Sequence, residues 1–117
     1  MCGICAYKTK ENAVKFAVES LKILEYRGYD SCGISFLKNG EIETIKSLVD
    51  IDDLKKKTEN LSSNLVIGHT RWATHGGVTL KNAHPHLSSS NKIALVHNGI
   101  IENYKTLKEN LNCAFQS

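Results

Sequence analysis

The chain has 117 residues, of which 41% are hydrophobic, enough for one small globular domain that buries roughly two-thirds of its unfolded surface. Fifteen Lys and Arg against twelve Asp and Glu leave a formal charge of only +3, and the lysines are scattered apart from Lys55-Lys56-Lys57, so neither the charge nor its distribution points to nucleic acid. No run approaches the eighteen or so apolar residues of a membrane span, and Met1 to Tyr7 lack a basic and then apolar leader, so a cytoplasmic protein with reduced cysteines at positions 2, 5, 32 and 113 is expected.

Cys2 to Tyr7 is a short apolar run with no room for a helix before the polar segment that follows, which predicts a buried strand at the N-terminus. From Asn12, Val14, Ala17, Val18, Leu21 and Leu24 recur at helical spacing, predicting an amphipathic helix over 12–26 that stops near Arg27-Gly28. Ser31–Leu37 and Glu41–Leu48 read as a hairpin, because Asn39-Gly40 supplies the positive φ angles that a two-residue connection demands. Residues 50–59 predict a surface helix capped by Asp50 or Asp52, and Leu65–His69 and Ile93–His97 are compact apolar strands.

Thr70–Ser90 between those strands is rich in Gly, His, Thr, Asn and Ser and holds the one proline, Pro85; a loop of that length in a small domain is usually functional. Residues 102–111 resume helical spacing through Tyr104, Leu107 and Leu111. There is no internal repeat, low-complexity tract or linker.

Three features could carry chemistry. Cys2 follows the initiator Met, and removal of Met1 would place a thiol and a free α-amine on one residue; both groups exchange protons near neutrality, so the amine can take the thiol proton. Asn98-Gly99, at the end of an apolar strand, could aim a side-chain amide and a backbone N–H at a developing oxyanion. Arg71-Trp72 enters the long loop, where a guanidinium can pair with a substrate carboxylate beneath an indole. Each has a plainer alternative on its own: a strand cysteine, a β-turn, a surface ion pair beside a core Trp. His69, His75, His84, His86 and His97 match no zinc spacing and have no Cys pair beside them, so no metal is expected. Arg27-Gly28-Tyr29-Asp30-Ser31 says by itself only that the chain reverses.

Taken together, Cys2-Gly3-Ile4, Leu24-Glu25-Tyr26-Arg27-Gly28-Tyr29-Asp30-Ser31, Gly68-His69-Thr70-Arg71-Trp72-Ala73-Thr74-His75-Gly76, Asn82-Ala83-His84-Pro85-His86 and Val96-His97-Asn98-Gly99-Ile100-Ile101-Glu102-Asn103 resemble, block by block and in order, the glutaminase domain of class II amidotransferases. The second and third blocks resemble the glutamine:fructose-6-phosphate aminotransferases within that family, and the likeness runs from residue 2 to about residue 111. It implies an α+β fold, a four-layer αββα sandwich of the N-terminal nucleophile hydrolase type, of which 1–117 is the N-terminal portion. It also implies hydrolysis of L-glutamine through a Cys2 thioester, with Asn98 and Gly99 as oxyanion hole, Arg71, Thr74 and His75 around the glutamine carboxylate, Trp72 gating ammonia transfer and Arg27 ordering the Cys2 site. No cofactor is implied. Fructose-6-phosphate would be met only by a sugar isomerase half absent from this chain, and the full-length enzyme would be a homo-oligomer. Two other readings stand beside this one: a non-catalytic interaction module that keeps the nucleophile, and a glutaminase that serves another acceptor. Missing sheet partners are expected to leave open edges and an exposed apolar face.

Overall fold

The computed structural model describes all 117 residues. Six strands and three helices follow in the order β1 (Gly3–Lys8), α1 (Ala13–Leu24), β2 (Ser31–Lys38), β3 (Glu41–Ser47), α2 (Ile51–Thr58), β4 (Leu65–Arg71), β5 (His86–Leu87), β6 (Ala94–Leu95) and α3 (Tyr104–Asn110). The first four strands form one antiparallel sheet in the order β1-β4-β2-β3, so β4 lies between two strands that α1 connects. Gly3 faces Thr70, Cys5 faces Gly68 and Tyr7 faces Val66 on one side of β4; Ser31 faces Arg71 and Gly33 faces His69 on the other.

Helix α1 starts where the side chain of Asn12 accepts the Val14 N–H, and buries Ala13, Val14, Ala17, Val18 and Leu21. That stripe meets Cys32, Ile34 and Phe36 of β2, Val66 of β4, and Ile51 and Leu54 of α2 in a single core. Both helices therefore cover one face of the sheet. Of the two candidate caps for α2, Asp50 is the one used: its carboxylate accepts the Asp53 N–H at 2.7 Å. The hairpin turn forms at Asn39 (φ 52°) and Gly40 (φ 79°), as that dipeptide predicts.

The opposite face is only half covered. Ala83 and Pro85 are buried, and the loop they belong to lies so close over Gly33 that a Cβ there would collide with the His84 carbonyl oxygen. Further along, Ile4, Ala6, Leu37 and Leu65 remain exposed. The strand expected over Ile93–His97 narrows to Ala94–Leu95, paired only with His86–Leu87, and α3 buries none of its residues. The result is a mixed α/β fold of a helical layer, a four-stranded antiparallel sheet and a short two-stranded ribbon. No helix is long and apolar enough to cross a membrane.

Candidate active site

The site grows from the Arg71 end of β4. The Gly3 N–H donates to Thr70 Oγ1 at 3.0 Å, and the fully buried Thr70 hydroxyl in turn donates to the Leu24 carbonyl at 3.5 Å. No side chain fits at Gly3, where a Cβ would lie 2.7 Å from Leu24 Cβ and 2.8 Å from Thr70 Oγ1. The start of β1 is thus seated on β4, which places Cys2 beside Trp72. Cys2 Sγ accepts the Trp72 N–H at 3.3 Å, and the thiol faces the Trp72 carbonyl oxygen at 3.7 Å.

The turn after α1 buttresses the same backbone. A 3₁₀ turn at Glu25–Arg27 leads to Gly28, where a Cβ would stand 2.7 Å from both the carbonyl carbon and oxygen of Thr70. The Asp30 N–H donates to the Arg71 carbonyl at 3.1 Å, and Asp30 Oδ2 accepts the Ala73 N–H at 2.6 Å, so one residue brackets Trp72. The Tyr29 and Trp72 rings lie 5.3 Å apart. Gly28, Asp30 and Thr70 were not singled out from the sequence. The one signal for them was the polar Arg27–Ser31 turn, which read as a plain reversal. Arg27, expected to order Cys2, makes no hydrogen bond to it. Its guanidinium stands 5.7 Å over the Tyr26 ring and its Nε is buried without a partner.

Arg71 is 6% exposed and spends much of its fork on the loop it precedes. Its terminal nitrogens donate to the carbonyls of His75 (2.7 Å), Gly77 (3.0 Å) and Gly76 (3.4 Å). These bonds curl Thr74–Gly77 into a compact turn, with Thr74 and His75 exposed on it and the His75 ring edge-on to Tyr104 at 5.2 Å. Trp72, Thr74 and His75 are therefore exposed on one continuous stretch of chain that begins beside Cys2 at Trp72, with the buried Arg71 shaping the turn from beneath.

Asn98 and Gly99 follow β6 and are both exposed. Neither the Asn98 amide nor the Gly99 N–H is spent on a protein acceptor. The histidines gather behind this segment. His69 and His84 stack at 4.2 Å between ring centroids, and His86 meets His84 edge-on at 4.3 Å. Burial, foremost, pushes His69 down to about 4 and His84 to about 3, and lowers His86 as well, so the stack is neutral at pH 7. No group of three His, Cys, Asp or Glu side chains is placed to hold a metal ion.

The other cysteines differ from Cys2. Burial raises the Cys5 thiol to about 11 and the Cys32 thiol to about 12, and the two donate to the carbonyls of Ala17 and Asp50; Cys113 is exposed, and all four are free.

The family described as glutamine amidotransferases class-II matches residues 29–116. The glutamine--fructose-6-phosphate aminotransferase [isomerizing] of Synechocystis sp. is 52% identical over 113 residues, covering 95% of this chain and 18% of that protein. The proteins of the same name from Methanosarcina acetivorans and Fusobacterium nucleatum are 56% and 50% identical over 114 residues, again with 95% of this chain and 18% and 19% of theirs. The chain thus spans under a fifth of the length of these curated relatives. Among solved structures, the glutamine phosphoribosylpyrophosphate amidotransferase of B. subtilis superposes with a TM-score of 0.75 at 24% identity, over 93% of this chain and 24% of that one, a likeness of fold. With three-quarters of its length inside the matched family, this chain belongs to the class II glutamine amidotransferases.

Proposed function

We propose that residues 1–117 are the N-terminal portion of a glutaminase domain that hydrolyses L-glutamine to glutamate and ammonia with Cys2 as nucleophile. The observation that carries this reading is the seating of Cys2: Thr70 holds Gly3, and the Trp72 N–H points at the Cys2 sulfur at 3.3 Å. After loss of Met1, the Cys2 α-amine takes the thiol proton and the thiolate attacks the side-chain amide carbon of glutamine. The oxygen that becomes negative is met by the Asn98 amide and the Gly99 N–H, both free to donate. The C–N bond then breaks as the α-amine returns its proton to the leaving nitrogen, which releases ammonia and leaves a γ-glutamyl thioester. Water cleaves the thioester to glutamate and restores the thiol.

In this reading Thr74, His75 and the remaining N–H groups of Arg71 meet the glutamine carboxylate, while Trp72 gates ammonia and Arg27 orders the Cys2 end. The relatives' names support fructose-6-phosphate as the ammonia acceptor; in this reading the acceptor is met in a sugar isomerase half outside these residues, for glucosamine-6-phosphate synthesis by a cytoplasmic homo-oligomer. The exposed Ile4, Ala6, Leu37 and Leu65 are the apolar face on which the second sheet of a four-layer αββα sandwich would pack.

One observation favours a non-catalytic module instead. Arg71, the natural carboxylate clamp, already donates to three loop carbonyls. Intact mass before and after incubation with 6-diazo-5-oxo-L-norleucine, with Cys2→Ala as control, separates the two. A chain without Met1 that gains one adduct, lost in Cys2→Ala, is the expected result. Retention of Met1, no labelling, or labelling spread to Cys5, Cys32 and Cys113 would overturn the glutaminase reading.

A further inference from the structure

We propose that His69 and His84 are positioning residues for the oxyanion donors, gripping the backbone of His97 from its two sides so that Asn98 and Gly99 are held against β4. The inference deepens the glutaminase reading and rests on it. His97 donates its backbone N–H to His84 Nδ1 at 3.3 Å, and its carbonyl oxygen stands 3.2 Å from His69 Nε2, which donates to it. These are the only hydrogen bonds made by residues 96–100, which pass from a two-residue strand to an exposed segment with no ladder partner. Nothing else polar ties the two donors to the sheet.

The grip is directional, and the directions fix the proton positions. His84 must keep a lone pair on Nδ1 to accept, so its proton is on Nε2. His69 must carry its proton on Nε2 to donate, which leaves its Nδ1 bare, and that buried Nδ1 has no partner. A buried imidazole nitrogen left unsatisfied is costly, and it is tolerated here in exchange for a donor aimed at His97. Burial, foremost, keeps both rings neutral, and the Arg71 guanidinium adds to that by disfavouring a further positive charge. Stacking at 4.2 Å stiffens the pair, while His69 sits between Ile4 of β1 and Gly33 of β2 in the register of the central strand. His69 of β4 thereby ties the segment that carries the two donors to the strand on which the start of β1 is seated.

The test uses the full-length protein that carries this chain. His84→Leu removes the acceptor and His84→Asn restores one near the Nδ1 position; His69→Phe removes the donor but keeps a ring against His84, and reports independently if His84→Leu does not fold. Three readouts are taken: kcat and KM for glutamine hydrolysis, the rate of Cys2 alkylation by iodoacetamide, and hydrogen exchange of the His97 amide. Displacement at iodoacetamide develops no carbonyl oxyanion, so it reports the nucleophile alone. The expected result for His84→Leu and His69→Phe is a kcat lower by roughly 10- to 100-fold, less than the roughly 10²–10³ of an oxyanion donor lost outright because the donors remain and are only misplaced, with KM and alkylation within about threefold of the parent. Exchange of the His97 amide rises in His84→Leu, and His84→Asn recovers both kcat and protection. Unchanged kcat, or a fall in alkylation parallel to kcat, overturns the proposal. If the parent does not hydrolyse glutamine, the glutaminase reading fails separately, and unchanged exchange of the His97 amide in His84→Leu then overturns the grip on its own.

Discussion

Replacing Gly28 by Ala tests whether the turn after α1 is a buttress or merely a connection. Gly28 has φ −167° and ψ 104°, extended backbone that alanine adopts freely, so the substitution carries no left-handed penalty and its effect is steric. The new methyl would sit 2.7 Å from the Thr70 carbonyl carbon and oxygen and 2.8 Å from the Arg71 carbonyl carbon, all backbone atoms of the central strand. Restoring ordinary contact at 3.4 Å needs a displacement of 0.7 Å between the turn and β4. Overpacking of this kind costs about 1–3 kcal/mol, while the loss of unfolded-chain freedom returns about 0.4–1 kcal/mol, which leaves a net destabilisation of about 1–2 kcal/mol. The melting temperature should fall by about 5–10 °C, and Cys2 alkylation should change because Trp72 moves with Arg71. Gly77→Ala is the internal control: its nearest neighbour would be 3.9 Å away and its φ is not positive, so stability should stay level or rise slightly. A thermal melt in which Gly28→Ala matches Gly77→Ala would refute the reasoning.

Two further expectations concern the nucleophile and acid. Asn98→Ala should slow glutamine hydrolysis by about 10²–10³, one oxyanion donor's worth, whereas Cys2→Ala should abolish the covalent route and cost about two to four orders of magnitude more; equal losses in steady-state assays would argue against the assigned roles. The histidine stack makes the fold acid-sensitive. Because His69 is pushed from 6.5 to about 4 in the folded chain, the unfolded chain binds the proton first, so stability is whole above about pH 6.5 and drains as the pH falls toward about 4. For this fully buried ring the loss at pH 5 is about 2 kcal/mol, with His84 adding in the same direction. Urea midpoints at pH 7 and pH 5 check it, and identical midpoints would mean that the rings are not neutral in the folded state.

Much of the fold was readable along the chain because it rests on local signals. The apolar stripe of α1, the Asn39-Gly40 turn and the compact run around Val66 each carry their own periodicity or turn chemistry, and all three elements form close to the predicted bounds. The insertion of β4 between β1 and β2 has no local signature, since it is decided by which strand edges remain when α1 folds over. Residues 93–97 read as a strand on hydrophobicity alone, but a strand extends only as far as it has a partner, and two residues of β5 are all that it finds. Of the proposed site residues, Cys2, Arg71, Trp72, Thr74, His75, Asn98 and Gly99 stood out by residue type or by motif. The supports were not: Asp30 acts on Ala73 across 43 residues, Thr70 on Gly3 across 67, and His69 on His97 across 28, and none of those pairings leaves a pattern in either partner's neighbourhood.

The central position of β4 divides the molecule into two mechanical regimes. Up to Arg71 its amides are sandwiched between neighbouring strands and open only when the whole sheet opens, whereas the Thr74–Leu80 segment lies outside the ladder and is held chiefly by the Arg71 side chain. The boundary falls at Trp72-Ala73, where the Cys2 sulfur and the Asp30 carboxylate each hold one amide. Cys2 is seated on the rigid side and Thr74 and His75 stand on the compliant side, so the turn can be reshaped without disturbing the Cys2 thiol.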